Sequence, residues 1–144
     1  MKKLILVILL FSIAGCATTS AINMKRVVAE STQLSNNQNI NIINIPSHGA
    51  LGDSLAVAAD GGANAKAARE TIEKLSNAGG GTLIITSTNP ELAKVNIINA
   101  LKNIDSKKTN IFLIYAGTEK YSDEVRKAAE DKGMQYGFVE AYRK

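Results

Sequence analysis

The chain has 144 residues, of which 45% are hydrophobic, and its formal net charge is +4 at pH 7. This length fits one domain with its own core, and the basic residues are too dispersed to form the footprint of a nucleic-acid-binding protein. A single cysteine, Cys16, and a single histidine, His48, exclude a zinc site built from cysteine or histidine ligands, and we expect no metal and no other cofactor.

The first residues have the pattern of an export signal. Met1-Lys2-Lys3 supplies positive charge, and residues 4–13 form an almost continuous apolar segment. This order of a short basic region and about ten apolar residues is typical of secretory signals. The segment is too short for a transmembrane helix, which needs roughly 20 residues. We therefore predict that residues 1–15 are a signal peptide that is removed.

The apolar segment ends in Ile13-Ala14-Gly15-Cys16, which resembles the lipobox of bacterial lipoproteins. The resemblance implies cleavage before Cys16, lipidation of its thiol, and acylation of the new amino terminus with a fatty acid such as palmitate. Several acyl chains anchor a protein stably, because each buried methylene contributes about 0.8 kcal/mol. Ala17, rather than an aspartate, follows the cysteine, which in a diderm host implies transfer to the outer membrane, facing the periplasm. An ordinary secretory signal and an uncleaved anchor are the alternatives.

Residues 16–38 are predicted to form the lipidated amino terminus and a tether. Small polar residues follow the cysteine, and residues 25–30 fit either a short strand or a helical turn. The polar residues 35–39 are typical of a loop.

Beyond the tether, apolar segments of two kinds alternate. Four short segments, rich in isoleucine and leucine, are typical of strands: residues 39–45, 82–86, 110–115 and 135–139. Three segments fit helices: residues 63–78, a segment capped by Asn89 with Pro90 in its first turn, and a segment that starts at Ser122. Such alternation predicts a parallel sheet with helices on both faces. We therefore expect residues 39–144 to form a small three-layer α/β sandwich with a mostly parallel sheet of four or five strands.

In open parallel sheets, ligands bind beyond the carboxyl ends of the strands. The connection after the first strand is long, and long connections often carry function. We expect Leu51, Leu55 and Val57 to attach it to the core or to form a short helix. The candidate ligand-binding residues at this edge of the sheet are Ser47, His48, Asp53, Ser54, Asn89, Gly117 and Thr118.

The long connection also contains a short motif, Gly52-Asp53-Ser54-Leu55, that resembles the nucleophile block of GDSL (SGNH) hydrolases. These are α/β esterases whose catalytic serine follows the first strand. The resemblance implies that Ser54 is the nucleophile and that its own backbone N–H donates to the oxyanion.

The rest of the hydrolase pattern is incomplete. Gly117-Thr118 loosely resembles the second block of the family, but Glu119 stands where the family has its catalytic asparagine. No histidine follows His48, so His48 would have to act as the base, with Asp53 as the remaining candidate catalytic residue. A serine without a base is a poor nucleophile at neutral pH.

The leading hypothesis is therefore a membrane-anchored lipoprotein of the cell envelope that acts as a non-catalytic binding or assembly module. Its expected partners are the membrane, through the lipid anchor, and another envelope protein, with no nucleic acid. One alternative is a GDSL-like serine esterase, active or degenerate. Another is a binder of small anionic ligands at the Gly117-Thr118 turn and at the helix starts at Asn89 and Ser122, because helix amino termini attract anions.

Overall fold

The computed structural model of the protein describes residues 21–36 and 39–142. The predicted signal peptide at 1–15 and the predicted lipidation site Cys16 lie outside the described residues. Within the described part, no helix is both long and apolar enough to cross a membrane. Its helices and strands follow the order α1 (Met24–Leu34), β1 (Ile40–Ile45), α2 (Gly49–Ala58), α3 (Gly62–Asn77), β2 (Gly81–Ser87), α4 (Pro90–Lys102), β3 (Ile111–Gly117), α5 (Glu119–Asp131) and β4 (Gln135–Glu140).

The four strands form one parallel sheet in the order β1-β2-β3-β4. The register places Ile84 of β2 between Ile42 of β1 and Ile114 of β3. All seven residues of β2 are buried, because this strand has a neighbour on each side and is covered on both faces. Burial on both faces explains why residues 83–85 of β2 and 111–116 of β3 are continuously apolar rather than alternating.

Two separate hydrophobic clusters fill the faces of the sheet. Alternate strand residues such as Leu83 and Leu113 join α3, α4 and α5 in the larger cluster. The intervening residues, including Ile84 and Ile114, join Val27 of α1 in the smaller one. Helices therefore cover both faces, and the predicted three-layer α/β sandwich with a parallel sheet is confirmed. Its four strands match the lower of the two predicted numbers.

Helix α1 lies within the range predicted as a tether. Its first turn is capped by Asn23, whose side-chain oxygen accepts a hydrogen bond from the backbone N–H of Arg26 at 3.1 Å. Val27 and Ser31, one turn apart, are the buried residues of this helix. Of the two alternatives for residues 25–30, the helical one is correct, and the helix is longer than one turn.

The ends of the crossover helices follow from local chemistry. At Gly80, which follows α3 and has φ +98°, an added Cβ would lie 2.2 Å from the carbonyl oxygen of Asn110, so only glycine fits. Helix α4 has the predicted cap Asn89 and the predicted Pro90 in its first turn. Helix α5 begins at Glu119, one turn before the predicted start at Ser122. The Ser122 hydroxyl is instead hydrogen-bonded to the hydroxyl of Tyr136 on β4, at 3.0 Å.

The strand order bears directly on where a ligand can bind. In doubly wound sheets, ligands occupy the crevice where the strand order reverses. The four strands of the described sheet lie in sequence order from one edge to the other, so there is no such reversal among them. The carboxyl end of this sheet is therefore an edge without a crevice of that kind.

Candidate functional site

A buried carboxylate gathers several of the predicted site residues at the carboxyl ends of β1 and β2. The Ser47 hydroxyl donates a hydrogen bond to Asp53 Oδ2 at 2.6 Å, and the side-chain amide of Asn89 donates to the same oxygen at 2.9 Å. The backbone N–H of His48 donates to Asp53 Oδ1 at 2.8 Å. The cluster forms because α2 starts directly after His48 and folds Asp53 back over the end of β1, beside the cap of α4.

The electrostatics of Asp53 suit a structural carboxylate. Asp53 is only 3% exposed to solvent. Burial by itself raises the pKa of Asp53, but the hydrogen bonds from Ser47, Asn89 and the His48 N–H outweigh it, so the pKa lies below its usual range. Asp53 is therefore ionised at neutral pH, with both oxygens already accepting hydrogen bonds. Such a group is a weak general base, because catalytic bases have pKa values near the working pH.

The two other candidate catalytic residues lie apart from this carboxylate network. Ser54 is exposed on α2, and its hydroxyl donates to the carbonyl oxygen of Ala50, one turn earlier, at 2.7 Å. This is the ordinary back-bond of a serine inside a helix. The ring of the exposed His48 makes no hydrogen bond with any residue between 21 and 36 or between 39 and 142. In the described structure, Asp53 is thus bonded to Ser47, and not to Ser54.

The glycine of the Gly-Asp-Ser-Leu motif has a packing role. A Cβ added to Gly52 would lie 2.7 Å from the Cβ of His48, closer than side-chain carbons normally approach. The residue is therefore small because the first turn of α2 packs against the residue that precedes the helix. This explanation involves no substrate, and it accounts for one of the four letters of the motif.

The long connection after β1 forms a short helix, α2, which confirms one of the two alternatives expected for it. The other alternative, attachment to the core, holds for Val57 alone. Leu51 and Leu55 do not attach the connection to the core: they are 77% and 64% exposed. The inward face of the helix is formed by Asp53, the buried residue of α2, and by Ala56 and Val57, which pack against the larger cluster. Since Leu51 and Leu55 are on the opposite side of the helix from Asp53, they face outward.

The start of α4 is unsuited to anions. Its first free backbone N–H groups, those of Glu91 and Leu92, donate to Asn89 Oδ1 at 3.1 and 3.3 Å. The carboxylate of Glu91 adds a negative charge in the first turn. Asn89 therefore acts as the cap, occupying the donors that an anionic ligand requires.

Gly117 and Thr118 are likewise engaged within the protein. The Gly117 carbonyl accepts from the Ala141 N–H at 2.9 Å, and the Thr118 N–H donates to the Tyr115 hydroxyl at 3.3 Å. That hydroxyl in turn donates to the Pro90 carbonyl at 3.2 Å. Burial raises the pKa of Tyr115 to about 12, so the hydroxyl stays protonated. The Tyr115 hydroxyl thus links the turn after β3 to the start of α4 through two hydrogen bonds.

Two further residues of this edge, Ser87 and Tyr142, are not among the candidate ligand-binding residues named from the sequence. The Ser87 hydroxyl accepts a hydrogen bond from the Asn89 backbone N–H at 3.1 Å. The Tyr142 hydroxyl donates to the Ser87 carbonyl, and burial raises the pKa of Tyr142 above its usual value. Both side chains end a strand or follow one, which was the available signal, but tyrosines at strand ends are common in structures without a site.

Two shallow cavities lie along α4, away from the carboxyl edge of the sheet. Val95 and Ile98 are only half-buried, whereas Leu92 on the same helix is fully buried. Val95 lines a shallow cavity of about 180 Å³, and Ile98 and Lys102 line both this cavity and a second one of about 370 Å³. Among residues 21–36 and 39–142, no group of three or more histidine, cysteine, aspartate or glutamate side chains is arranged to hold a metal ion.

No protein family, curated protein or solved structure matches the chain. The function must therefore be argued from the residues of this chain alone.

Proposed function

We propose that the mature chain is a lipid-anchored, non-catalytic α/β module that binds another protein of the cell envelope. The lipobox-like Ile13-Ala14-Gly15-Cys16 supports the anchor, and Ala17 supports placement at the periplasmic side of the outer membrane in a diderm host. An anchor raises the local concentration of a module around its partner, so even a weak contact is populated.

One observation carries the non-catalytic part of the proposal. The Ser54 hydroxyl is bonded to the carbonyl of Ala50, while Asp53, the nearest carboxylate in sequence, accepts from Ser47, His48 and Asn89. A serine nucleophile needs a general base within hydrogen-bond reach. A third group must in turn orient that base. In this arrangement, Ser54 has a helix carbonyl in place of a base.

Labelling with a fluorophosphonate tests the absence of serine chemistry. The mature protein is incubated with the probe beside an active serine esterase, and the Ser54→Ala variant serves as the matched control. We expect no difference between the protein and its variant. Stoichiometric labelling that Ser54→Ala abolishes would overturn the non-catalytic assignment and favour the esterase.

A separate experiment tests the binding part. The tagged chain is crosslinked reversibly in intact cells and then isolated from detergent-solubilised envelopes. We expect one envelope protein at a fixed ratio to the chain. Isolation of the chain without any partner at a fixed ratio would contradict a binding module.

A further inference from the structure

Helix α2 has an exposed surface without charge. Asp53 is its one charged residue, and that side chain is buried, whereas each of the four other described helices carries three or more charged residues. Leu51 and Leu55 are one turn apart, so they lie side by side on the helix surface. The exposed surface of α2, called the α2 face below, consists of Ala50, Leu51, Ser54, Leu55 and Ala58.

The α2 face lies at the edge of the sheet where the anchored end of the chain enters. Helix α2 follows the carboxyl end of β1, and the Asn23 N–H at the start of α1 donates to the Ala141 carbonyl, directly after β4. All four strands are parallel, so both points are at the same edge. With β1 and β4 three strand spacings apart, about 14 Å separate the strand ends across that edge.

The length of chain before α1 limits how far this edge is from the anchor. Cys16 precedes Asn23 by 23 − 16 = 7 residues. Even a fully extended chain of that length spans at most about 25 Å. If Cys16 is lipidated, the carboxyl edge of the sheet stays within that distance of the bilayer. The α2 face, which lies at this edge, can therefore contact the bilayer.

We propose that the α2 face docks on the lipid bilayer, with Leu51 and Leu55 inserted at the boundary between head groups and acyl chains. The inference rests on the proposed lipid anchor. Two leucines are too few to hold a free protein on a membrane, but the anchor makes docking an intramolecular event with a high effective concentration. Because α2 contributes no cationic side chain, the contact is apolar and does not depend on anionic lipid.

The contact also has a limited extent. Glu91 and Glu119 lie in the first turns of α4 and α5 at the same edge, and both are exposed. These carboxylates are costly to bring into contact with lipid tails, so the neighbouring part of the edge stays hydrated. The domain therefore rests on the membrane along α2, tilted toward β1.

A single introduced tryptophan tests the docking. The chain contains no tryptophan, so Leu55→Trp provides a unique probe in the mature, lipidated protein on phosphatidylcholine vesicles. Asn103→Trp, at the exposed carboxyl end of α4, is the matched control for the affinity of tryptophan for interfaces. Nitroxide-labelled lipids are expected to quench the residue-55 emission about twofold, as for a side chain buried a few ångströms into the interface, and to leave residue 103 nearly unchanged.

Further arms separate the docking from the anchor. Leu51→Glu in the Leu55→Trp background is expected to abolish quenching while the protein still floats with the vesicles, and replacing some phosphatidylcholine by anionic lipid is expected to change nothing. Flotation without quenching at residue 55 would overturn docking and leave the anchor intact. A blue shift without lipid quenching would also overturn docking, and would indicate that a second copy of the chain covers the α2 face. Failure to float would refute the anchor itself.

Discussion

The side-chain amide of Asn89 donates a hydrogen bond to the buried carboxylate of Asp53 at 2.9 Å, joining α4 to α2 across 36 residues of sequence. The other end of the same amide caps α4 by accepting from two backbone N–H groups. Asn89 thus uses its donor and its acceptor for different purposes. This division of roles can be tested, because asparagine and aspartate are equally good helix caps but differ as donors.

The substitution Asn89→Asp is expected to destabilise the protein although it keeps the cap. It places a second carboxylate against Asp53, and like charges at this distance raise the pKa of one of them. We expect a loss of about 2–4 kcal/mol of unfolding free energy at pH 7, against about 2 kcal/mol for Asn89→Ala, which loses the cap and one hydrogen bond.

Urea unfolding of both Asn89 variants at pH 7 and pH 5 measures the difference. A carboxyl whose pKa is raised in the folded state favours folding more as the pH falls, so Asn89→Asp is expected to recover stability relative to Asn89→Ala at pH 5. If Asn89→Asp matched the unsubstituted protein at pH 7, Asn89 would act as a cap only, and the link to Asp53 would have no energetic role.

The lowered pKa of Asp53 predicts how stability depends on acid. Because the folded pKa is below the unfolded value of about 3.9, the contribution of the ionised carboxylate is complete above that value and is lost as the pH falls through the folded pKa. We expect Asp53→Asn to be less stable than the unsubstituted protein by about 2 kcal/mol at pH 6, with the gap narrowing toward pH 3. Chemical unfolding at the two pH values measures the gap, and Ser54→Ala, outside the network, should follow the unsubstituted protein throughout. A gap that stays constant would contradict the assignment.

The small size of Gly117 makes room for a buried ring. A Cβ at Gly117 would lie 2.1 Å from Cζ of Tyr115, and its φ is outside the left-handed region, so space rather than backbone conformation demands the glycine. We expect Gly117→Ala to cost about 1–3 kcal/mol. In a Tyr115→Leu background the same change is expected to cost about 1 kcal/mol less, which a double-mutant cycle of unfolding free energies detects. Strict additivity of the two changes would show that the ring is not the obstacle.

In the ion pair of Lys108 and Glu73, the lysine is buried and the glutamate is partly exposed. Lys108 Nζ lies 2.7 Å from Glu73 Oε2, with side-chain exposures of 8% and 39%. Removing the partner leaves a buried ammonium, so Glu73→Ala is expected to cost about 2 kcal/mol, whereas Lys108→Met replaces the charge with apolar volume and should change stability by less than about 1 kcal/mol. The exposed pair of Lys66 and Glu70 provides the control, and Glu70→Ala is expected to cost about 0.5 kcal/mol or less in urea unfolding. If Glu73→Ala and Glu70→Ala lowered the free energy of unfolding equally, burial of Lys108 would not account for the strength of its ion pair.

The sequence predicts the layers of this fold well because its strands and three of its helices obey simple rules. The continuous apolar segments around Ile84 and Ile114 are strands buried on both faces, and Asn89-Pro90 marks a helix start. These signals depend only on neighbouring residues in the sequence, so they can be recognised without knowing the tertiary contacts. The start of α5 was misplaced because Ser122, which has the chemistry of a cap, uses its hydroxyl for Tyr136 instead.

The candidate site was harder to predict because its geometry depends on contacts between distant residues. Helix α2 inverts the usual rule: it buries the charged Asp53 and exposes Leu51 and Leu55. This arrangement is stable because Ser47 and Asn89 donate hydrogen bonds to the Asp53 carboxylate. Asn89 is distant in sequence and follows a different strand, β2, so its hydrogen bond cannot be predicted from the residues around Asp53. No periodicity within residues 49–58 indicates which face turns inward. The sequential strand order, which leaves no crevice at a reversal, is also a global property.

Mass spectrometry of the mature protein, purified from membranes, tests the central claim most directly. A lipid-anchored module predicts an amino-terminal peptide that begins at Cys16 and carries the added mass of a diacylglyceryl group, with a further acyl chain on its amino group. A mature chain that begins at another residue, or a Cys16 with a free thiol, would contradict the account.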